Sequence, residues 1–146
     1  MNLVRVLPGR RPGGENDARR SSRVTEVLQL VERFVYDLGL LIAGRAVDLD
    51  AYVDAAVATR LHAALAPART SGAVIHPDFG EYAQVVIEGN LLDLSQPVQA
   101  IVEFDDRSTW SDREGGVVRR SRRRVRLRLT LDPAVTTVLD HRIEMG

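Results

Sequence analysis

Residues 119–132 read RRSRRRVRLRLTLD, and the second half of this stretch alternates strictly between an aliphatic residue and an arginine or another polar residue. Such alternation is typical of a β-strand with one face in the core and the other in water. The two faces are Val125, Leu127, Leu129 and Leu131 on the core side, and Arg120, Arg122, Arg124, Arg126 and Arg128 on the outer side. The stretch therefore predicts a long strand in an antiparallel sheet.

The same two-residue period extends from Glu81 towards the end of the chain. It predicts four strands, at about 82–94, 97–110, 117–131 and 135–145. The sequences SQP, SDREGG and DPA separate them, and all three favour turns. We expect the four strands to pair in sequence order as an antiparallel meander.

Alternation also assigns the side chains of the neighbouring strands to the two faces. It places Ile101 and Val138 on the outer face beside the arginines, and His141 on the core face. Acidic residues of the strands on both sides would then flank the arginine strand: Glu103, Asp105, Asp140 and Glu144. The simplest interpretation of the arginines is a solvated, ion-paired sheet face, since opposite charges across strands stabilise a sheet.

Two helices are predicted before the strands. The first begins at Ser22 as N-cap, carries apolar residues three and four positions apart, and ends at Gly44. The second runs from about Asp50 to Leu65 and is ended by Pro67.

Residues 8–22 are rich in Pro, Gly and charge and lack apolar periodicity, which is typical of a linker. We therefore predict a flexible tail over 1–21, with NLVRVL (2–7) as an alternative edge strand. Residues 22–146 then form a single α+β domain. In it, two N-terminal helices pack on a curved, four-stranded antiparallel meander.

Composition restricts the function classes. The chain has 146 residues, no cysteine, and 20 basic against 20 acidic residues, every basic one being arginine. A net charge of zero disfavours nucleic-acid binding by the whole domain, and the lack of cysteine excludes disulfides and thiol chemistry. The longest apolar stretch, DLGLLIAG, is far shorter than the roughly 18 residues of a membrane span. No signal peptide is recognisable, so we predict a cytoplasmic protein.

Three functions are compatible with these patterns. The first is a non-catalytic binding or assembly module that forms a homodimer or docks a protein partner. Its contact surface would be the outer sheet face, with Ile101, Val138, Arg120, Arg122, Arg124, Arg126 and Arg128. The second is a small-molecule enzyme or ligand binder with a pocket lined by Tyr52, Tyr82 and His141, where His141 is the candidate general base.

The third function is binding of a nucleic-acid backbone by the arginine strand, where Arg119, Arg120 and Arg122 lack acidic neighbours. We favour the binding module, because no catalytic motif accompanies His141. The histidines do not stand at metal-ligand spacing and no phosphate-binding glycine loop occurs, so neither a metal nor a cofactor is predicted.

The order of these elements resembles a known superfamily. A long amphipathic helix, the second helix LDAYVDAAVATRLHAAL and the closing strands RRVRLRLTLDPAVTTVLDHRIEMG are similar in layout to the nuclear transport factor 2 superfamily. Within it, the pattern is most similar to the mitochondrial import-motor anchor domain and its bacterial relatives. The resemblance covers residues 22–146 and implies a cone-like fold. That superfamily contains both small-molecule enzymes and non-catalytic assembly domains, so the resemblance leaves activity open.

Overall fold

The computed structural model describes residues 4–6, 14–70 and 74–145, and within them the chain forms two helices and eight strands. The α+β class predicted from the sequence is confirmed. In chain order the elements are β1 (Val4–Val6), α1 (Gly14–Ile42), α2 (Ala55–Thr70), β2 (Val74–His76), β3 (Tyr82–Glu88), β4 (Val98–Asp106), β5 (Thr109–Ser111), β6 (Val117–Arg120), β7 (Arg123–Leu131) and β8 (Val138–Met145).

The strands form two sheets. The larger has the order β1-β3-β4-β7-β8, and its last four strands pair antiparallel in sequence order, which is the predicted meander. The smaller sheet has the order β2-β5-β6. Two strands predicted as continuous are each divided, at 107–108 and at 121–122, and the detached pieces β5 and β6 pair with each other and with β2.

The core lies between the helices and the inner face of the large sheet. Buried residues of both helices form one cluster with the inner faces of β3, β4 and β7. The predicted core face of β7 is confirmed, because Val125, Leu127, Leu129 and Leu131 are all buried. This packing supplies the apolar burial that holds these strands in register. No helix in the described ranges is long and apolar enough to cross a membrane.

The predicted start of the first helix was wrong. Helix α1 begins at Gly14, eight residues before Ser22, so much of the predicted tail is helical; Asp17 near its start favours the positive helix end. Residues 4–6 form an edge strand parallel to β3, as in the alternative prediction. The rest of the tail, 1–3 and 7–13, lies outside the described residues. The end was predicted correctly, because Gly44 follows the helix with a φ of 82°.

The second helix also differs from its prediction. It begins at Ala55, because residues just before it bridge to β8: Val53 pairs with Val138. Asp54 is the N-cap, and its carboxylate accepts the N–H of Ala56 at 3.1 Å. The helix continues past Pro67 for one further turn.

Two apolar residues predicted on the outer face are not exposed there. Val138 belongs to the core, because a β-bulge shifts the register between the pairs Thr130↔Asp140 and Leu131↔Val138. Ile101 does face outward, but it is buried between Val86 and Arg128, its direct neighbours on the adjoining strands. Neither residue offers the exposed apolar contact that the sequence predicted.

Candidate functional site

The outer face of the large sheet carries a ladder of ion pairs. Arg124 Nε lies 3.0 Å from Asp105 Oδ1, and Arg126 Nε lies 3.9 Å from Glu103 Oε1. Both partners are the predicted ones, in direct register across β4 and β7. Arg128 pairs with a residue two strands away, its Nη1 being 3.7 Å from Glu88 Oε2. The middle of the arginine strand is therefore neutralised within the protein.

The acidic residues of β8 have other partners than predicted. Asp140 Oδ1 lies 3.1 Å from Arg60 Nη2 on α2, and Glu144 Oε1 lies 3.7 Å from Arg142 Nε on the same strand. In the register of β7 and β8, Asp140 stands opposite Thr130, which has no charge. Glu144 does stand opposite Arg126 in that register, as predicted, but the ion pairs of the arginine strand among the described residues lead to β3 and β4.

Positive charge accumulates where the neutralising residues end. We call Arg107 together with residues 119–124 the arginine end. Residues 105–124 contain seven arginines and four carboxylates. A cavity of about 390 Å3 opens there, and its lining residues are Asp105, Asp106, Arg107, Arg122, Arg123 and Arg124.

Three guanidiniums of the arginine end have no ion-pair partner in the described part of the chain: those of Arg119, Arg120 and Arg122, all of them exposed. Asp105 is already shared between Arg124 and Arg107, and Asp106 lies 3.8 Å from Arg123 Nε. Of the three, Arg122 lines the cavity, while Arg119 and Arg120 are consecutive on β6 and so lie on opposite faces of the small sheet. Each presents donors in a planar fork that suits a carboxylate or a phosphate.

The single tryptophan of the chain, Trp110, lies beside Arg119 of the arginine end. Trp110 pairs with Arg119 across β5 and β6, and the guanidinium carbon of Arg119 is 5.4 Å from the centroid of the indole ring. Such a contact is a weak cation–π interaction, and the Arg119 side chain remains exposed. Trp110 is therefore an internal reporter of whatever binds at the arginine end.

A buried polar network that the sequence did not reveal holds the arginine end in place. Asp106 accepts hydrogen bonds from the N–H of Ser108 at 3.0 Å, from its hydroxyl at 2.5 Å, and from the hydroxyl of Ser121 at 3.2 Å. The N–H of Ser121 donates to the carbonyl of Ser108 at 2.8 Å, and Ser108 accepts the N–H of Asp78. The carboxylate of Asp106 thus joins the two strand interruptions at 107–108 and 121–122.

His141, the candidate catalytic residue, lies on the inner face of β8 opposite Leu129. Its ring is 6.1 Å from that of Phe34, centroid to centroid, and its Nδ1 is buried with no hydrogen-bond partner among the described residues. Burial lowers its pKa, an effect that Asp140 opposes and Arg60 reinforces. His141 is therefore a half-buried histidine whose lowered pKa keeps it neutral at neutral pH.

We expect this burial to make stability depend on pH. A His141 pKa below its unfolded value near 6.5 means that the unfolded state takes up the proton first. The stability contribution of neutral His141 is complete above that unfolded value and is lost as the pH falls through the folded pKa. His141→Leu should flatten this slope and raise the free energy of unfolding at pH 7 by about 1 kcal/mol, since a buried unpaired nitrogen disappears.

Urea unfolding of both proteins between pH 5 and 8 measures the effect, with His62→Leu on the exposed face of α2 as control. An unchanged slope in His141→Leu would show that another group causes the pH dependence.

The other two predicted ligand-binding residues lie apart from His141. Tyr52 is buried; its hydroxyl donates to Asp37 Oδ2 at 2.6 Å, and the guanidinium of Arg33 lies 4.0 Å from its ring centroid. Its pKa is raised, first by burial and then by the Asp37 hydrogen bond. This cluster fastens the connection between the helices to α1, and neither Tyr52 nor His141 reaches the groove that contains Tyr82.

Tyr82 lines a groove of about 1120 Å3 between α1 and residues 75–82. Burial and the charge of Glu32 raise its pKa to about 12, and its ring lies 6.4 Å from that of Phe104. Opposite charges of α1, Glu32 and Arg33, both border the groove. The structure therefore does not unite the three residues of the predicted pocket.

In residues 4–6, 14–70 and 74–145, no group of three or more histidine or acidic side chains is arranged to hold a metal ion. No family model matches the sequence, and no curated protein matches it significantly.

Proposed function

We propose that this protein is a non-catalytic binding module that docks an acidic segment of a protein partner on its arginine end. The observation that carries the proposal is the set of three exposed guanidiniums, Arg119, Arg120 and Arg122, for which the described residues supply no counter-ion. Carboxylates of the docked segment would serve as counter-ions and form bidentate pairs with these guanidiniums. The ladder above them is neutralised internally, so docking is confined to the arginine end rather than spread over the whole face.

A protein partner is favoured over nucleic acid for two reasons. The chain has no net charge, whereas nucleic-acid-binding domains normally have a positive excess. Binding of single strands also depends on rings on which bases stack, and Arg119 lies over the ring of Trp110.

The experiment is a titration with a glutamate-rich peptide and, separately, with a single-stranded oligonucleotide, both followed by the fluorescence of Trp110. We expect the peptide to bind, and Arg119→Gln/Arg120→Gln/Arg122→Gln to weaken that binding roughly tenfold, since three surface charge pairs are lost. Tighter binding of the oligonucleotide, with a steep loss of affinity as salt rises, would favour the nucleic-acid hypothesis instead.

A matched control removes the same number of charges elsewhere. Arg5, Arg19 and Arg45 are exposed and lie outside the arginine end, so their replacement by Gln changes the net charge equally. Peptide affinity should remain within about twofold of the unmodified protein. An equal loss in both triple variants would mean that total charge, and not the arginine end, controls binding.

We further propose that the fold is the cone-like fold of the nuclear transport factor 2 superfamily. The four-stranded meander with two preceding helices packed into one core supports this assignment. The superfamily includes enzymes, and the alternative of a pocket enzyme would require His141 to work with Tyr52 and Tyr82. The separation of these three residues favours the binding module. A cytoplasmic location stays a prediction of the sequence.

A further inference from the structure

Strand β8 forms an edge of the large sheet. Its first residue is covered, because the N–H of Val138 donates to the carbonyl of Tyr52 and its carbonyl accepts the N–H of Asp54. Asp140 is close to α2 through its ion pair with Arg60. Beyond Asp140, none of the described strands lies beside β8, so residues 141–145 present backbone donors and acceptors at an open edge.

The open edge carries an exposed apolar side chain. Ile143 shares the core face of the sheet with Leu127, its neighbour on β7, yet it is 44% exposed while Leu127 is fully buried. On the outer face of the same segment stand Arg142 and Glu144, with opposite charges. An edge with complementary charges and an unburied isoleucine is suited to pairing with another strand.

We propose that a second copy of this chain pairs with this edge, so that the two β8 strands run antiparallel about a two-fold axis at Ile143. In this register, Ile143 of one copy meets Ile143 of the other, and each Arg142 stands opposite a Glu144. Two opposite-charge pairs and one apolar pair then form across the axis, while alternate residues of both strands exchange backbone hydrogen bonds.

Other registers are unfavourable for reasons visible in the structure. Residues directly opposite one another must share a face, so the axis passes through a residue. An axis at Arg142 places Arg142 against itself and Asp140 against Glu144. An axis at His141 brings Glu144 of the second copy to the edge of Val138, whose backbone groups are already bonded to residues 52 and 54.

This dimer has a consequence for the arginine end. A two-fold axis perpendicular to the sheet joins the two outer faces into one continuous surface, with β7 of each copy adjacent to the paired β8 strands. Both copies of the arginine end then face the same side. The dimer rests on other residues than the proposed partner docking, so either can fail without the other.

The test uses two single variants whose charges are complementary only between copies. Arg142→Glu makes positions 142 and 144 both acidic, and Glu144→Arg makes both basic. Each variant alone should dimerise roughly tenfold more weakly than the unmodified chain, and an equimolar mixture should recover the dimer. Both variants lose the same intrachain pair, so recovery in the mixture reports contact between copies. Sedimentation equilibrium measures it; dimerisation that is equal in all three samples, or a monomeric unmodified chain, overturns the proposal.

Cross-linking tests the register independently. The chain has no cysteine, so Ile143→Cys introduces a single thiol that meets itself at the axis. Leu139→Cys is the matched control, because Leu139 is 39% exposed on the same strand but lies outside the paired segment 141–145. Under mild oxidation, Ile143→Cys should give several-fold more disulfide-linked dimer than Leu139→Cys. Equal yields would overturn the register about Ile143.

Discussion

Asp106→Ala is expected to lower the free energy of unfolding by about 2–4 kcal/mol, far more than an exposed acid normally contributes. The side chain of Asp106 is 14% exposed and accepts three hydrogen bonds from Ser108 and Ser121, both of which are buried. Alanine would leave these donors in the interior without an acceptor. It would also remove the link between the strand interruptions at 107–108 and 121–122.

Asp105→Ala is the natural control, since the adjacent carboxylate is 44% exposed and makes only ion pairs. We expect it to cost less than about 1 kcal/mol. Chemical denaturation measures both values, and hydrogen exchange should show faster opening of residues 107–121 in Asp106→Ala. If the two alanine variants are equally stable, the network around Asp106 contributes no more than a surface ion pair does.

Much of the sheet was predictable because the alternation of apolar and polar residues indicates which face of a strand is buried. The core face of β7 and the ion pairs of Glu103 and Asp105 both follow from a two-residue period and sequential pairing. As long as a strand is regular, the face on which each of its side chains lies follows from the two-residue period alone and not from distant parts of the chain. Regular strands are therefore the part of this fold that a single sequence determines.

The period fails where a residue is inserted into a strand. The bulge at the start of β8 places Val138 in the core, the reverse of the prediction, and leaves Leu139 39% exposed. His141, beyond the bulge, keeps its predicted core face opposite Leu129. At the bulge, the backbone of Val138 bonds to residues 52 and 54, far away in the chain. Sequence periodicity contains no information about that contact.

The positive charge of the candidate site could be predicted from the sequence, but the hydrogen-bond network that holds it in place could not. The excess of arginine at 119–124 is visible in the sequence, and the three uncompensated guanidiniums lie within it. The network of Asp106, Ser108 and Ser121 joins residues that belong to no motif. The one local signal for this network is that Ser108 and Ser121 each lie in a strand interruption. A serine side chain commonly bonds to nearby backbone where a strand stops.

Phe104→Ala is expected to be the most damaging substitution considered, with a loss of about 3–5 kcal/mol. Phe104 is 2% exposed, and its ring lies 5.0 Å from that of Phe79 and 6.4 Å from that of Tyr82. Phe79 in turn packs against α1 at Gly39, where a β-carbon would lie 3.4 Å from its ring. Removing the Phe104 ring leaves a cavity under Phe79 and Tyr82, two of the aromatic residues that line the groove.

The comparison that isolates this cavity is Tyr36→Ala, because Tyr36 is also aromatic and borders the same groove but is 68% exposed. We expect a change within about 0.5 kcal/mol for Tyr36→Ala, and partial recovery of stability in Phe104→Leu. Phe104 directly precedes Asp105 and Asp106, so its loss should also speed hydrogen exchange at the arginine end while leaving every arginine in place. Normal exchange there, in a protein weakened by several kcal/mol, would mean that the arginine end is held by the Asp106 network alone and is independent of the core beneath it.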